Sequence, residues 1–385
     1  MKIAMVSAHG SPHAEVSDPQ DAYVTGLSAA LSRQGHEVTV YRRRDRRDVP
    51  ERTRTGRGVE VVRVPAGPAK PLDDEHVLPD VGDFTSFLVD EWATSAPHVV
   101  HGHGWMSGMA SVLGGRRIGV PVVQTFHSLA TAEAPGERRR IEVLVGREAA
   151  QLTAGSASEA FELTKSGVRR TRISVVPSGV DVAEFTAEGP RAARDLPYRV
   201  LARLNRHTGA VLTALSRVDG AELVVVGLPP SGRTTRDPDV ARLRDHAKHL
   251  DTKIVFAGAV TRQEMPALLR SADVVVCASS YEPSGALALE AMACGVPVVA
   301  TAVDALADVV VGGVTGLLVP AGEQESLSRA VRLLLLDDTL RDEFSVAGQD
   351  RVVARYTWDH VAADLLRVYE RAGATAGMPV AGPAR

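Results

Sequence analysis

Ser271-Ala-Asp-Val-Val-Val-Cys-Ala-Ser-Ser-Tyr-Glu-Pro-Ser-Gly-Ala-Leu-Ala-Leu-Glu-Ala-Met-Ala-Cys-Gly-Val-Pro-Val-Val-Ala300 is the stretch whose reading decides the fold. After Asp273, residues 274–278 are a continuous apolar run that opens with three β-branched valines. A turn of small and polar residues follows, then an Ala/Leu-rich helical segment over 286–294, a glycine stop at Gly295 and a second apolar run over 296–300. Strands without polar alternation are buried on both faces, which makes this one strand–helix–strand repeat of a parallel sheet.

The same grammar runs outward in both directions. Strands are predicted at residues 3–7, 37–41, 59–64, 98–101, 120–125, 151–154 and 173–177, and again at 198–201, 221–227, 253–258, 273–278, 296–300 and 315–319. Helical patterns lie between them at 22–33, 85–94, 240–249, 266–271, 286–294, 325–335 and 340–356. The two series break near residues 180–196, with 181–190 read as a short hinge. The chain is therefore expected to be α/β, with two doubly wound Rossmann-like domains facing across a cleft. Their expected bounds are 1–185 and 190–356. A last helix (357–371) packs back on the first domain, and a disordered Ala/Gly/Pro-rich tail covers 372–385. A length of 385 residues suits two domains of ordinary size.

Composition excludes several classes. Basic and acidic residues number 44 and 47, so no net field attracts nucleic acid or an anionic membrane. Aromatics at 4% are too sparse for base stacking. Two cysteines, Cys277 and Cys294, allow neither a disulfide scaffold nor a cysteine zinc site. No apolar run spans a bilayer, and the amino-terminal one is too short for a signal peptide, so the expected location is cytoplasmic. Residues 42–57 carry eight arginines and read as a solvated loop.

In the deciding stretch, Glu282 precedes the helix and Glu290 lies two turns inside it. The amides opening a helix favour oxygen-rich ligands, although Pro283 contributes none. Two carboxylates flanking such a start suit a polyhydroxylated ligand, because each accepts hydrogen bonds from vicinal hydroxyls. Asp237-Pro-Asp239 reads as a helix start capped by Asp239 rather than a metal motif. His101-Gly-His103 lacks a third ligand at metal spacing and reads as cleft-lining or packing histidines. No Gly-x-Gly-x-x-Gly turn follows the first strand, which counts against a dinucleotide oxidoreductase.

Glu282-x7-Glu290 and the Ala291-Met-Ala-Cys-Gly-Val-Pro-Val-Val-Ala300 that follows resemble the retaining glycosyltransferases of family 4, which have the GT-B fold. Further matches are Ser178-Gly-Val-Asp181 and Asp308-Val-Val-Val-Gly-Gly-Val-Thr-Gly-Leu-Leu-Val-Pro320. Ala22-Tyr-Val24, His98-Val-Val-His-Gly-His-Gly-Trp-Met-Ser-Gly108 and Gln124-Thr-Phe-His-Ser-Leu129 are similar to the mycothiol-pathway and sucrose-phosphate-synthase branch. The resemblance implies metal-independent, cofactor-free transfer, with retention, from a UDP- or GDP-linked sugar to a small-molecule acceptor. It implies that Arg203, Glu282 and His127 serve catalysis, with Arg203, Thr208, Glu282, Ser284, Gly285, Ala286 and Glu290 around the donor. Asp18, Asp21, Tyr23 and His103 fall on the acceptor side.

Three departures stand out. Thr208 replaces the family's lysine, which leaves Arg206 or His207 as the substitute cation. Asp18-Pro19-Gln20-Asp21 replaces a Gly-Gly-x-Asn loop, which points to a neutral polyol or cationic aminocyclitol acceptor. Ser284 replaces a phenylalanine. The rival readings are a catalytically impaired partner or regulatory subunit and a nucleotide-sugar epimerase.

Overall fold

The computed structural model describes residues 1–8, 19–72, 74–130, 136–228 and 237–374. The chain divides into two compact units. One runs to Pro177 and resumes at Trp358, and the other is built on Ser178–Thr357. Residues 178–185 therefore belong with the second unit, where the sequence reading put them with the first. Phe185 is 1% exposed in the second unit's core, which is the physical reason.

The first unit contains, in chain order, β1 (Lys2–Ser7), α1 (Pro19–Arg33), β2 (Glu37–Arg43), β3 (Arg52–Arg54), β4 (Glu60–Val64), α2 (Asp74–Val77) and α3 (Val81–Thr94). It continues with β5 (Val99–His103), α4 (Trp105–Ile118), β6 (Val122–Thr125), α5 (Gly136–Glu148), β7 (Gln151–Ala154), α6 (Ala157–Lys165) and β8 (Ile173–Val175). Its sheet has the order β3-β4-β2-β1-β5-β6-β7-β8. Only the β3–β4 pair is antiparallel.

Segment 42–57 is thus not simply a solvated loop. β2 runs on through Arg43, whose buried guanidinium donates to the carbonyls of Pro68 (2.7 Å) and Lys70 (2.5 Å). Residues 52–54 add a charged edge strand, a partnership between distant segments that local pattern does not reveal.

The second unit contains β9 (Tyr198–Arg203), α7 (Thr208–Leu215), β10 (Ala221–Val226), α8 (Pro238–His249), β11 (Lys253–Phe256), α9 (Met265–Arg270) and β12 (Val274–Cys277). Then come α10 (Ala286–Ala293), β13 (Val298–Thr301), α11 (Asp304–Val309), β14 (Gly316–Val319), α12 (Gln324–Leu336) and α13 (Asp338–Arg355). The all-parallel order β11-β10-β9-β12-β13-β14 reverses direction between β9 and β12. Loops leaving those two strands diverge, which opens a crevice at their carboxyl ends. Helix α8 is capped by Asp237, not Asp239. Asp237 Oδ1 accepts from the amides of Asp239 (2.8 Å) and Val240 (3.2 Å), with Pro238 in the first turn. Both Asp residues suit a cap, and the proline at the first helical position decides between them.

The last helix, α14 (Trp358–Arg371), belongs to the first unit and packs on α1. Residues 372–374, expected to open a disordered tail, continue that packing, and Ala374 is buried. Residues 375–385 lie outside the described residues. Trp358 lies over Gly26 of α1, where an added Cβ would come 2.2 Å from the indole. Only glycine lets the two helices approach this closely. Gly26→Ala is expected to destabilise the first unit by about 1–3 kcal/mol through overpacking. Denaturant titration checks this, and an unchanged midpoint would contradict it.

Candidate active site

At the carboxyl ends of β9 and β12 the second unit holds a crevice open to solvent. Its walls include Arg203, Asn205, Cys277, Ser279, Glu282 and Gly285. Arg203 ends β9, and its side chain runs past Gly227, whose missing Cβ leaves room for it. Among the described residues no carboxylate pairs with this guanidinium. The turn after it is rigid. Thr208, buried at the start of α7, donates from its hydroxyl to the Arg203 carbonyl (2.9 Å) and accepts from the Asn205 amide (2.9 Å). Thr208 thus holds the turn together, and its hydroxyl is spent inside the protein. Arg206 is exposed in the same turn and donates to the Ser280 hydroxyl beside the crevice wall.

Glu282 turns its carboxylate back on its own loop. Oε1 accepts from the Ser284 hydroxyl (3.0 Å) and the Gly285 amide (3.3 Å). The Ser284 hydroxyl in turn accepts from the Ala286 amide (3.4 Å). Gly285 has φ +62°, and this left-handed residue swings the chain into α10. The Glu282 carboxylate therefore sits on the opening of the helix, where unpaired amides draw negative charge. Asp304, at φ +39°, steadies the loop from outside by accepting from the Glu282 amide (3.0 Å).

Glu290 is on α10 but not in the crevice wall. Its side chain, 21% exposed, lies 3.7 Å from Arg262 Nη1. Arg262 also pairs with Glu184 (2.8 Å) and stacks on Phe185 (5.0 Å to the ring centroid). Burial pushes the Glu290 carboxyl from its ordinary 4.5 up to about 7, against the pull of Arg262 and Arg203. Arg203, Glu282, Ser284, Gly285, Ala286 and Glu290 thus fall within one strand end and one loop–helix start.

In the first unit the predicted residues gather around His127, in the loop after β6. It has φ +64°, an uncommon conformation for a residue with a side chain. Its Nε2 lies 3.1 Å from Nδ1 of His103, which ends β5 and is fully buried. Tyr23 of α1 packs edge-on against His127 (4.9 Å between centroids), and its buried hydroxyl has no hydrogen-bond partner among the described residues. Outside this cluster, Asp21 pairs with Arg42 (3.2 Å), and Asp18 lies outside the described residues. Arg138 donates to the Ser128 carbonyl (2.9 Å) and to Glu142 (2.8 Å), which pins the loop carrying His127.

The sequence reading missed Asn205, Arg262, Asp304 and the Arg138–Glu142 pair. Asn205 and Asp304 lie beside the motifs already noted. Arg262 gives no local signal, because only the fold brings it to Glu290. Among the described residues no three His, Cys, Asp or Glu side chains are grouped to hold a metal ion. None of the described helices is long and apolar enough to cross a membrane.

Residues 20–179 match the family model "Glycosyl transferase 4-like domain", and residues 200–351 match "Glycosyl transferases group 1". The chain is 32% identical over 409 residues to the D-inositol 3-phosphate glycosyltransferase of Jonesia denitrificans, covering 96% of both chains. It is 33% identical over 410 residues to that of Acidothermus cellulolyticus, covering 96% of this chain and 90% of the relative. Among solved structures, sucrose-phosphate synthase from Thermosynechococcus elongatus superposes with a TM-score of 0.84 at 24% identity, over 97% of this chain and 99% of that one. The chain belongs to the family 4 glycosyltransferases of GT-B fold, alongside the D-inositol 3-phosphate glycosyltransferases.

A carboxyl raised on folding stabilises the protein below its unfolded value, and that stabilisation is lost as the folded group ionises. Between about pH 4.5 and 7, wild-type stability is therefore expected to fall with rising pH, relative to Glu290→Gln, and to level off above. Parallel denaturation of both chains checks this. A constant difference across that range would contradict it.

Proposed function

We propose that the protein transfers a sugar from a nucleoside diphosphate to a small polyol, with retention at the anomeric carbon. The observation that carries this reading is the Arg203 guanidinium, paired with no carboxylate among the described residues, in a crevice shared with Glu282. As the sugar–phosphate bond breaks, positive charge develops on the sugar and negative charge on the diphosphate. A fixed cation at the phosphates lowers that barrier most. Arg203 grips the diphosphate, and a guanidinium suits this because it stays charged and can bind two oxygens. Arg206 supplies the second positive charge in place of the family's lysine, since the Thr208 hydroxyl is occupied. These two guanidiniums, rather than a metal ion, neutralise the leaving group.

Glu290 accepts from the ribose hydroxyls. Glu282, Ser284 and the amides of Gly285 and Ala286 take the sugar hydroxyls. Ser284, smaller than phenylalanine, leaves a lower wall there. His127 serves catalysis, as the family resemblance implies, and the first unit takes the acceptor. The acceptor oxygen bonds to the anomeric carbon as the phosphate leaves, and the acceptor proton passes to the departing phosphate oxygen. No protein base is required.

The relatives' names, D-inositol 3-phosphate glycosyltransferase, support an inositol acceptor that carries a phosphate. The Asp21 carboxylate is already matched by Arg42, so it argues neither for a cationic acceptor nor against a phosphorylated one.

Incubation with UDP- and GDP-sugars, and with inositol, inositol phosphate or an aminocyclitol, tests this reading. The expected product keeps the donor's anomeric configuration by NMR. Nucleotide release with inversion would refute retention. Donor isomerised without nucleotide release would favour an epimerase. Donor binding with no turnover on any acceptor would favour a partner subunit. Arg206→Ala is expected to lower kcat/KM by about tenfold to a hundredfold, the worth of one charge-assisted hydrogen bond. An unchanged value would remove Arg206 from the site.

A further inference from the structure

Beneath His127 the first unit buries a set of polar side chains that the proposed transfer does not itself use. His101 Nδ1 is 2.8 Å from the Tyr369 hydroxyl of α14, and its Nε2 is 2.7 Å from Thr125 Oγ1. Thr125 in turn contacts the Thr153 hydroxyl. His103 packs on His101 at a tilt, with ring centroids 4.1 Å apart. Its Nδ1 meets His127 Nε2 at 3.1 Å, and its Nε2 meets Met5 Sδ at 3.3 Å. Burial pushes the His101 ring down to about 3 and holds His103 well below the ordinary histidine range, so both rings are neutral at physiological pH.

A neutral imidazole has one N–H and one lone pair, and which nitrogen carries the proton follows from its partners. A thioether sulfur accepts a hydrogen bond and cannot donate one. With the His103 proton on Nδ1, two lone pairs would face each other across 3.3 Å of dry interior, at Nε2 and Met5 Sδ. With the proton on Nε2, that contact becomes N–H···S. Nδ1 is then a bare acceptor, and the 3.1 Å contact closes only if His127 Nε2 carries a proton. The Tyr369 hydroxyl lies 4.0 Å from the same sulfur but 2.8 Å from His101 Nδ1. Its proton therefore goes to His101, and the sulfur remains for His103.

We infer that His103 is a positioning residue: backed by the Met5 sulfur, it accepts from His127 Nε2–H and so fixes both the ring orientation and the tautomer of His127. The Tyr23 ring, edge-on to His127 and tilted against His103, limits rotation of His127 about its side-chain bonds. The tautomer assignment stands on this geometry alone. Its use, holding the His127 ring in one orientation for catalysis, rests on the proposed glycosyl transfer.

Two-bond proton–nitrogen correlation spectra of the full chain labelled with 15N-histidine test the assignment. They are recorded at about pH 8, above the ordinary histidine value of about 6.5, with His103→Gln and His127→Gln spectra to assign the peaks. His103 and His127 are both expected protonated at Nε2 and bare at Nδ1. A His103 protonated at Nδ1 would overturn the inference. Met5→Leu removes the acceptor with little change of volume. It is expected to mix the His103 tautomers and to lower kcat severalfold while the KM for the nucleotide sugar stays put. Unchanged His103 shifts in that variant would overturn the role of the sulfur. If Met5→Leu does not fold, the wild-type spectrum decides alone. If the chain transfers no sugar, the spectra still read the tautomer, so the two readings fail separately.

Discussion

A positive charge without a partner, at the point where a parallel sheet reverses its winding, is the constraint on which the second unit's chemistry depends. The strand order makes the crevice between the ends of β9 and β12 unavoidable, because the connections after those strands leave on opposite sides. Arg203 closes β9 with no carboxylate among the described residues to neutralise it, although Glu282 and Glu290 lie nearby. Those two acids are engaged elsewhere, Glu282 on the helix opening and Glu290 with Arg262. An unpaired guanidinium beside hydroxyl-accepting carboxylates is an arrangement for an anion that carries hydroxyls. A sugar diphosphate has that character.

The first unit solves a different problem. His127 sits in a strained backbone conformation at the end of β6, held by the buried His103 on one side and by the Arg138–Glu142 pair through its loop on the other. Helix α14, which the chain reaches only after building the whole second unit, supplies Tyr369 to the histidines and Trp358 to Tyr23. The carboxyl-terminal segment is thus part of the support for the amino-terminal site. The closeness of Gly26 to Trp358 shows how tightly that support is packed.

Much of this was legible in the sequence. Continuous apolar strands, the glycine stop at Gly295 and the carboxylates at 282 and 290 are local signals, and they located both sheets and the loop–helix start beside the crevice. What local pattern could not reveal is partnership at a distance. The β3–β4 pairing, the Asp21–Arg42 ion pair and the Arg262 bridge from Glu184 to Glu290 each join segments that share no periodicity. Thr208 illustrates the same limit within five residues. Its position suggested a ligand contact, but its hydroxyl is satisfied by the Arg203 carbonyl and the Asn205 amide. A small polar side chain at a helix start is as apt to serve the backbone as a substrate.

The central claim is that Arg203 awaits a diphosphate, and calorimetric titration with UDP and GDP, comparing wild type with Arg203→Ala, tests it most directly. The account predicts that at least one of the two nucleotides binds the wild type. It predicts that the variant loses about tenfold to a hundredfold in affinity for it, with an unchanged thermal midpoint in the absence of nucleotide. Equal affinity in the two proteins, or no binding of either nucleotide to the wild type, would contradict it.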